Sequence, residues 1–343
     1  MPREDEETSP EKRPGENGTF DGKTYLYIKT HPLDDGSEPL PAGLEFWISP
    51  HITVIKPDGT RGQEATAGQE NGVEVIVSNN GGLDAVNAYV ECFVADPSTS
   101  FTPASCTKIF TDYVSVPANG TAAIAGRWTP MPDESGHKCL LARVCSTIPP
   151  DCFRDWGVFD VVGDRHEAQR NIFVIPVPEG EESVSFGFQV VNPHDRAMET
   201  IVRAVPVALE RRVDIVRSLF GDAPVAISRE MATGLHIAVG EMLEHRMVFD
   251  PHNIVVHAAK SKTKTGPIPL KATFGKLRKS LAMPAQRQMA QHLAMANREV
   301  RHAVVTIPRT PGAKPGELQV VQIEQVDAST KKVVGGICLV LQH

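Results

Sequence analysis

Much is missing from this chain of 343 residues. No stretch approaches the roughly 18 consecutive apolar residues of a membrane-spanning helix, so no such span is expected. No G-x-S-x-G elbow, Gly-rich phosphate loop, H-E-x-x-H or C-x-x-C occurs. Without these, no reaction is indicated, and neither an enzyme activity, a metal nor a cofactor is expected. Aromatic residues make up 6%, few for the stacked platform of a carbohydrate module. The opening residues, MPREDEETSPEKRPGEN, lack the apolar core of a Sec signal, and no twin-arginine pattern is present. The expectation is a chain that starts in the cytoplasm, with a particle or a non-Sec export route as later destinations. Six cysteines then default to reduced thiols. Cys145 and Cys152 are the pair that an oxidising compartment would join, and their spacing matches no zinc pattern.

The net charge is −7, which gives no general reason to expect nucleic acid as a partner. Charge is unevenly placed, however. Residues 251–298 contain no Asp or Glu but nine Lys or Arg, leaving −16 for the rest of the chain. Within that segment Lys260, Lys262, Lys264, Lys271, Lys276, Arg278 and Lys279 form an exposed basic loop. It reads either as a solvated lysine run or as a docking surface for an anionic partner, including the acidic body of a neighbouring copy. With few aromatics between the lysines, base stacking has little support.

What is plentiful is the turn. Glycine and proline number 27 each, and between them lie short alternating runs. Val73, Val75 and Val77 share one face of GVEVIVSNN. Val86, Ala88, Val90, Cys92 and Val94 share the next, with Asn87, Tyr89, Glu91 and Phe93 opposite. Period-two alternation with turns between predicts antiparallel β-sandwiches, each sheet with one core face and one wet face. Cys92 and Cys139 are read as facing each other in that core, and Trp47 and Trp128 as core or edge anchors.

The second half repeats the theme. VIVSN (Val75–Asn79) matches FQVVN (Phe188–Asn192), and SGHKCLLARV matches PGELQVVQIEQV. This predicts two weakly related copies in tandem. The organisation expected is a polar tail, arm and linker over 1–42, one sandwich over 43–177 and a second over 178–343. The second carries a partly helical insertion at about 209–299. Its helices are expected on ALERRVDIVRSLFG and on PAQRQMAQHLAMANREV, with a hairpin on MVFDPHNIVVHA. The arm TYLYIK is expected to be able to complete a neighbour's sheet.

Trp47–Val54 (WISPHITV), the V-x-V-x-V-x-N-x-G turn at Val73–Gly81, and the strands GHKCLLARV and DRHEAQRNIFV resemble bacterial CARDB-like, immunoglobulin-like modules. The resemblance covers about Phe46–Val177 and, more faintly, the second half. It implies adhesion, spacing or assembly rather than chemistry. The expected role is a non-enzymatic subunit or adaptor, with copies of itself or other subunits as partners. Two alternatives remain open: a module binding an anionic ligand, glycan or surface protein, and an accessory domain of an enzyme system. Three histidine-bearing sites are read as surface or packing features. These are His245, His252 and His257, whose spacings suit no metal site, then Asp164-Arg165-His166, and then His194-Asp195.

Overall fold

The computed structural model describes residues 20–41, 44–62, 65–131, 138–176, 181–207, 212–213, 215–216, 225–228, 235–239, 245–250, 253–258, 290–310 and 312–343. The chain is mainly β, with two antiparallel sandwiches in tandem.

The strands of the first sandwich are β1 (Leu26–Tyr27), β2 (Ile52–Ile55), β3 (Arg61–Gly62), β4 (Asn71–Asn79), β5 (Ala85–Ala95), β6 (Thr107–Val116), β7 (Gly120–Trp128), β8 (Cys139–Thr147), β9 (Pro150–Cys152) and β10 (Glu167–Arg170). One sheet holds β1, β2, β3, β4 and β7, and the other holds β5, β6, β8, β9 and β10. Val73, Val75 and Val77 meet Ala88, Val90, Cys92 and Val94 between them, all buried, because alternate side chains of a pleat share a face. Val86 departs from the expected pattern. A bulge at Asn87, whose φ is 53°, shifts the register between Ala85 and Ala88. The extra residue sends Ala85 inward and Val86 out into solvent.

The second half holds β11 (Ile172–Pro176), β12 (Ser183–Val191), β13 (Met198–Pro206), β14 (Ala226–Ile227), β15 (His236–Val239), β16 (His245–Asp250), β17 (Asn253–Ala258), β18 (Ala290–Met295), β19 (Val300–Pro308), β20 (Glu317–Asp327) and β21 (Val333–Gln342), of which β16 and β17 form a two-stranded sheet of their own. β12, β19 and β15 form one sheet, and β11, β21, β20, β13 and β18 the other, with β14 against β20. Phe186, Phe188, Val305 and Ile307 pack against Val202, Val321, Ile323 and Leu339.

The two sandwiches pair equivalent strands in the same order. β4 with β7, β5 with β6, β5 with β8 and β8 with β10 correspond to β12 with β19, β13 with β18, β13 with β20 and β20 with β21. Both sandwiches also make the same turn. Asn79 accepts from the Gly81 N–H and donates to the carbonyls of Leu83 and Val116. Asn192 accepts from the His194 N–H and donates to those of Arg196 and Ala296.

Several expectations are corrected. AQRNIFVIPV is not one strand. It divides at Asn171, with β10 pairing with β8 and β11 running parallel to β21 in the other sandwich. The arm pairs within its own chain, β1 against β4. The run expected as linker is docked, with His31, Asp34 and Leu40 buried. The hairpin is present as β16 and β17. The partly helical insertion is not seen: of the first expected helix, only Arg212, Val213, Ile215 and Val216 are among the described residues. The second is absent where described: Ala290–Met295 is a strand with Leu293 and Met295 inward, followed by a turn with Arg298 at φ 56°. Pairing with β13 decides its conformation over helix propensity. Cys92 and Cys139 point to opposite faces, Cys92 into the first core and Cys139 into the second.

The wet outer face expected of each sheet is also partly missing. β8, β20 and β21 are buried almost throughout. Phe93, Ala95, Phe101, Cys139, Leu141 and Phe159 of the first half join the core of the second. Across β20 and β21, Leu40, Phe46, Trp47 and Ile48 pack on Leu318, Val320 and Val340. Asn171 ties the halves, donating to the carbonyls of Ser98 and Gly336 at 2.9 and 2.8 Å. Gly336 must lack a side chain, since a Cβ there would lie 2.4 Å from the Trp47 ring.

Candidate interaction surface

The outer face of β5 and β8 is built from four cross-strand rows: Ala95 with Cys139, Phe93 with Leu141, Glu91 with Arg143, and Tyr89 with Cys145. The first two rows are covered by the second sandwich. The third row is ionic and buried. The Arg143 guanidinium bonds Glu91 from Nε at 2.7 Å and Nη2 at 2.6 Å. Its carbon lies 4.4 Å from the Phe153 ring centroid, 5.0 Å from Trp156 and 5.5 Å from both Phe93 and Phe159. Rings at these distances offer the cation their negative faces. Lys108 Nζ and the Tyr89 hydroxyl bond the other Glu91 oxygen at 2.5 and 2.7 Å. Burial alone would raise the Glu91 pKa, but hydrogen bonds from Lys108, Tyr89 and Arg143 more than offset it, and the net shift is downward. Beside Arg143 on β10, the carboxyl pKa of Glu167 is pushed well up by burial.

The fourth row is flanked by exposed residues: Cys145 is buried and Tyr89 half-buried, but their neighbours are not. Tyr89 lies 5.7 Å from Tyr113 and 6.4 Å from Trp156, centroid to centroid. Tyr113 and Trp156 are 60% and 57% exposed, and Val86, brought out by the bulge, is 58% exposed. A disulfide joins Cys145 to Cys152, fixing β9 to β8 and delivering Phe153 and Trp156 over Arg143. The result is an aromatic and apolar surface on a rigid sheet, with its charges paired beneath it. Sequence reasoning missed it because Tyr89, Tyr113 and Trp156 are far apart along the chain, and the bulge has no alternation signal. The one available clue was the Cys145–Cys152 pair flanking the loop.

The basic residues singled out from the sequence, Lys260, Lys262, Lys264, Lys271, Lys276, Arg278 and Lys279, lie outside the described residues. Of the three histidines, His245 and His257 sit on β16 and β17, and His252 lies outside the described residues. His194-Asp195 forms a turn in which Asp195 bonds Arg298 at 2.6 Å.

His166 is buried between two carboxylates, with Nδ1 2.7 Å from Asp164 and Nε2 2.9 Å from Asp151. Arg165 bridges Asp151 and Glu38 and stacks on Tyr25, and Asp151 accepts from the Leu26 N–H. Glu38, Asp164 and His166 are close enough to share a metal ion. Both ring nitrogens are already hydrogen-bonded, and Glu38 is paired with Arg154 and Arg165. The cluster therefore works as a latch holding the N-terminal segment to the sandwich. The pocket at Ala197–Glu199 and Ala294–Ala296 holds one carboxylate and no nucleophile.

No family model and no curated protein matches the chain. Among solved structures, the CARDB domain of a Pyrococcus furiosus protein in complex with di-metal ions aligns at 16% identity. That alignment covers 35% of this chain and 83% of that one, with a TM-score of 0.24. The collagen adhesin of S. aureus aligns at 8% identity over 86% of this chain and 94% of that one, with a TM-score of 0.22. Red sea bream transglutaminase aligns at 11% identity over 85% of this chain and 31% of that one, with a TM-score of 0.20. At such scores the functional reading rests on this chain's own residues.

Proposed function

We propose that this chain is a non-enzymatic structural module of two CARDB-like copies, working as a repeated subunit or adaptor in a larger protein assembly. The observation that carries the reading is the exposed cluster around the fourth row. A rigid sheet face holds Val86, Tyr113 and Trp156 in solvent, continuous with a face that already docks a sandwich. Exposed aromatic clusters backed by ordered polar groups suit protein contacts. Aromatic rings add large contact area at little entropic cost.

Within this reading the partners are copies of the chain or other subunits. The basic segment carrying Lys260, Lys262, Lys264, Lys271, Lys276, Arg278 and Lys279 is a second contact, complementary to the acidic remainder. The sandwich units divide at Asn171, where the pairing changes sheets. The Cys145–Cys152 disulfide favours an oxidising final location.

Light scattering across a range of concentration and salt tests the proposal. Self-association is expected, weakened when Tyr113 and Trp156 are both replaced by serine. A strict monomer under every condition removes the proposal.

A further inference from the structure

Equivalent strands of the two sandwiches differ in what lies beside them. In the second, β15 pairs antiparallel with the far side of β19, Ile237 against Val305 and Ala238 against Val304. In the first, the equivalent strand β7 pairs with β4 alone among the described residues. The reason lies in chain length. Residues 207–299 separate β13 from β19 and supply β15, whereas only residues 96–119 separate β5 from β7. Among the described residues the first sandwich has no further strand hydrogen-bonded at that place; β6 flanks β7 from the opposite sheet, with Phe110 lying where a Cβ on Gly126 would fall.

The bare edge also lacks the usual protection. Natural edges are blunted by charge, proline or bulges. β6, the edge of the opposite sheet, has Lys108 and Asp112, and its pairing with β5 is broken by register shifts. β7 reads GTAAIAGRW, regular over nine residues, with Arg127 as its one charge. Thr121, Ala123 and Ala125 are exposed and small.

We propose that the β7 edge is a site of strand addition, occupied by β7 of a second copy of this chain. The inference rests on the assembly reading and names its contact. The two strands run antiparallel about a two-fold axis at Ile124. Ala123 of one copy then faces Ala125 of the other, and Thr121 faces Arg127. Small residues oppose small ones, and no like charges meet. The sheet of β1, β2, β3, β4 and β7 becomes one continuous sheet across both molecules, and unpaired backbone groups of each β7 gain partners. The second sandwich supplies the template, an antiparallel strand at the corresponding side of β19.

Two full-length variants test this, Ala123→Lys with Ala125→Lys, and Ala123→Glu with Ala125→Glu. Each places like charges opposite each other twice, at positions exposed in the single molecule. Sedimentation equilibrium is expected to show a wild-type dimer and, for either variant alone, association weakened by about 100-fold or more, as juxtaposed like charges cost several kcal/mol. An equimolar mixture is expected to restore the dimer, with Lys opposite Glu. Circular dichroism and melting temperature confirm that each variant is folded. If both variants associate like the wild type, this inference is overturned while the assembly reading stands. If the variants are monomeric and the mixture stays monomeric, the pairing about Ile124 is overturned. If the wild type is monomeric throughout, both readings fall.

Discussion

The two sandwiches share a pairing order and an asparagine turn, yet they bury themselves differently. In the second, β20 and β21 are sandwiched between two apolar clusters, one shared with the first half and one made with Phe46 and Trp47. In the first, one sheet face is covered at one end and flanked by exposed residues at the other, and β7 has an open side. The same alternating strands therefore yield a core element in one copy and a surface in the other. Neighbours, not strand pattern, decide which.

The largest test of this comparison is the ion pair at the boundary between the covered rows and the exposed cluster. Arg143→Ala leaves Glu91 buried with Lys108 and Tyr89 alone. Stranding a buried partner is expected to destabilise the fold by about 3–5 kcal/mol, read from urea denaturation. Because the halves share a core, a single transition is expected to move as a whole. Two separated transitions would break the picture of coupled sandwiches.

The asparagine turns sharpen it further. Asn79 accepts an additional hydrogen bond from the Tyr25 N–H at 2.9 Å, through the arm, which has no counterpart at Asn192 among the described residues. Asn79→Ala should cost about 3 kcal/mol and Asn192→Ala about 2, since each removes buried hydrogen bonds and orphans their partners. Equal losses would mean that the arm adds nothing to the first turn.

Much of this was legible in the sequence, though unevenly. Val73, Val75 and Val77 announced a strand with one core face, and Val75–Asn79 and Phe188–Asn192 each announced a strand ending in an asparagine turn. Both signals are local. The continuous apolar run GICLVL of β21 suits a strand buried on both sides, but nothing in it shows what buries it. The docking of Leu40 and Trp47 was invisible because a Pro/Gly/Asp run looks the same whether solvated or packed. Ala290–Met295 has good helix formers, and a distant partner, β13, overrode them. The exposed aromatic cluster depended on a bulge and a disulfide that join positions far apart.

The latch on the N-terminal segment belongs to the first sandwich and carries its pH dependence. Burial alone would lower the His166 pKa, but hydrogen bonds to Asp151 and Asp164 outweigh it and raise the pKa above 6.5. Burial would raise Asp164, but its bonds to His166 and the backbone hold it below 3.8. The histidine's contribution is complete below 6.5 and is lost as pH rises through the raised folded value. The carboxylate's contribution is present above 3.8 and is lost as pH falls through the depressed one. The latch's own contribution should therefore be largest between these limits, and His166→Gln should flatten the alkaline fall relative to wild type. A wild type and variant with parallel alkaline limbs would place the titration elsewhere.

The smallest effect is expected in the second sandwich, at a cross-strand pair that looks alike on paper. Arg203 on β13 bonds Glu324 on β20 at 2.7 Å, much as Arg143 bonds Glu91. The Arg203 side chain is 46% exposed, no aromatic cage closes over it, and water can replace its partner. Removing it by Arg203→Ala should cost under about 1 kcal/mol, the usual range for exposed pairs, with the loss shrinking further at high salt. The two arginines then differ by several-fold in the same denaturation assay although their bond lengths agree. A loss at Arg203 as large as that at Arg143 would show that burial does not separate the two copies, and the contrast between them would have to be sought in chain connectivity instead.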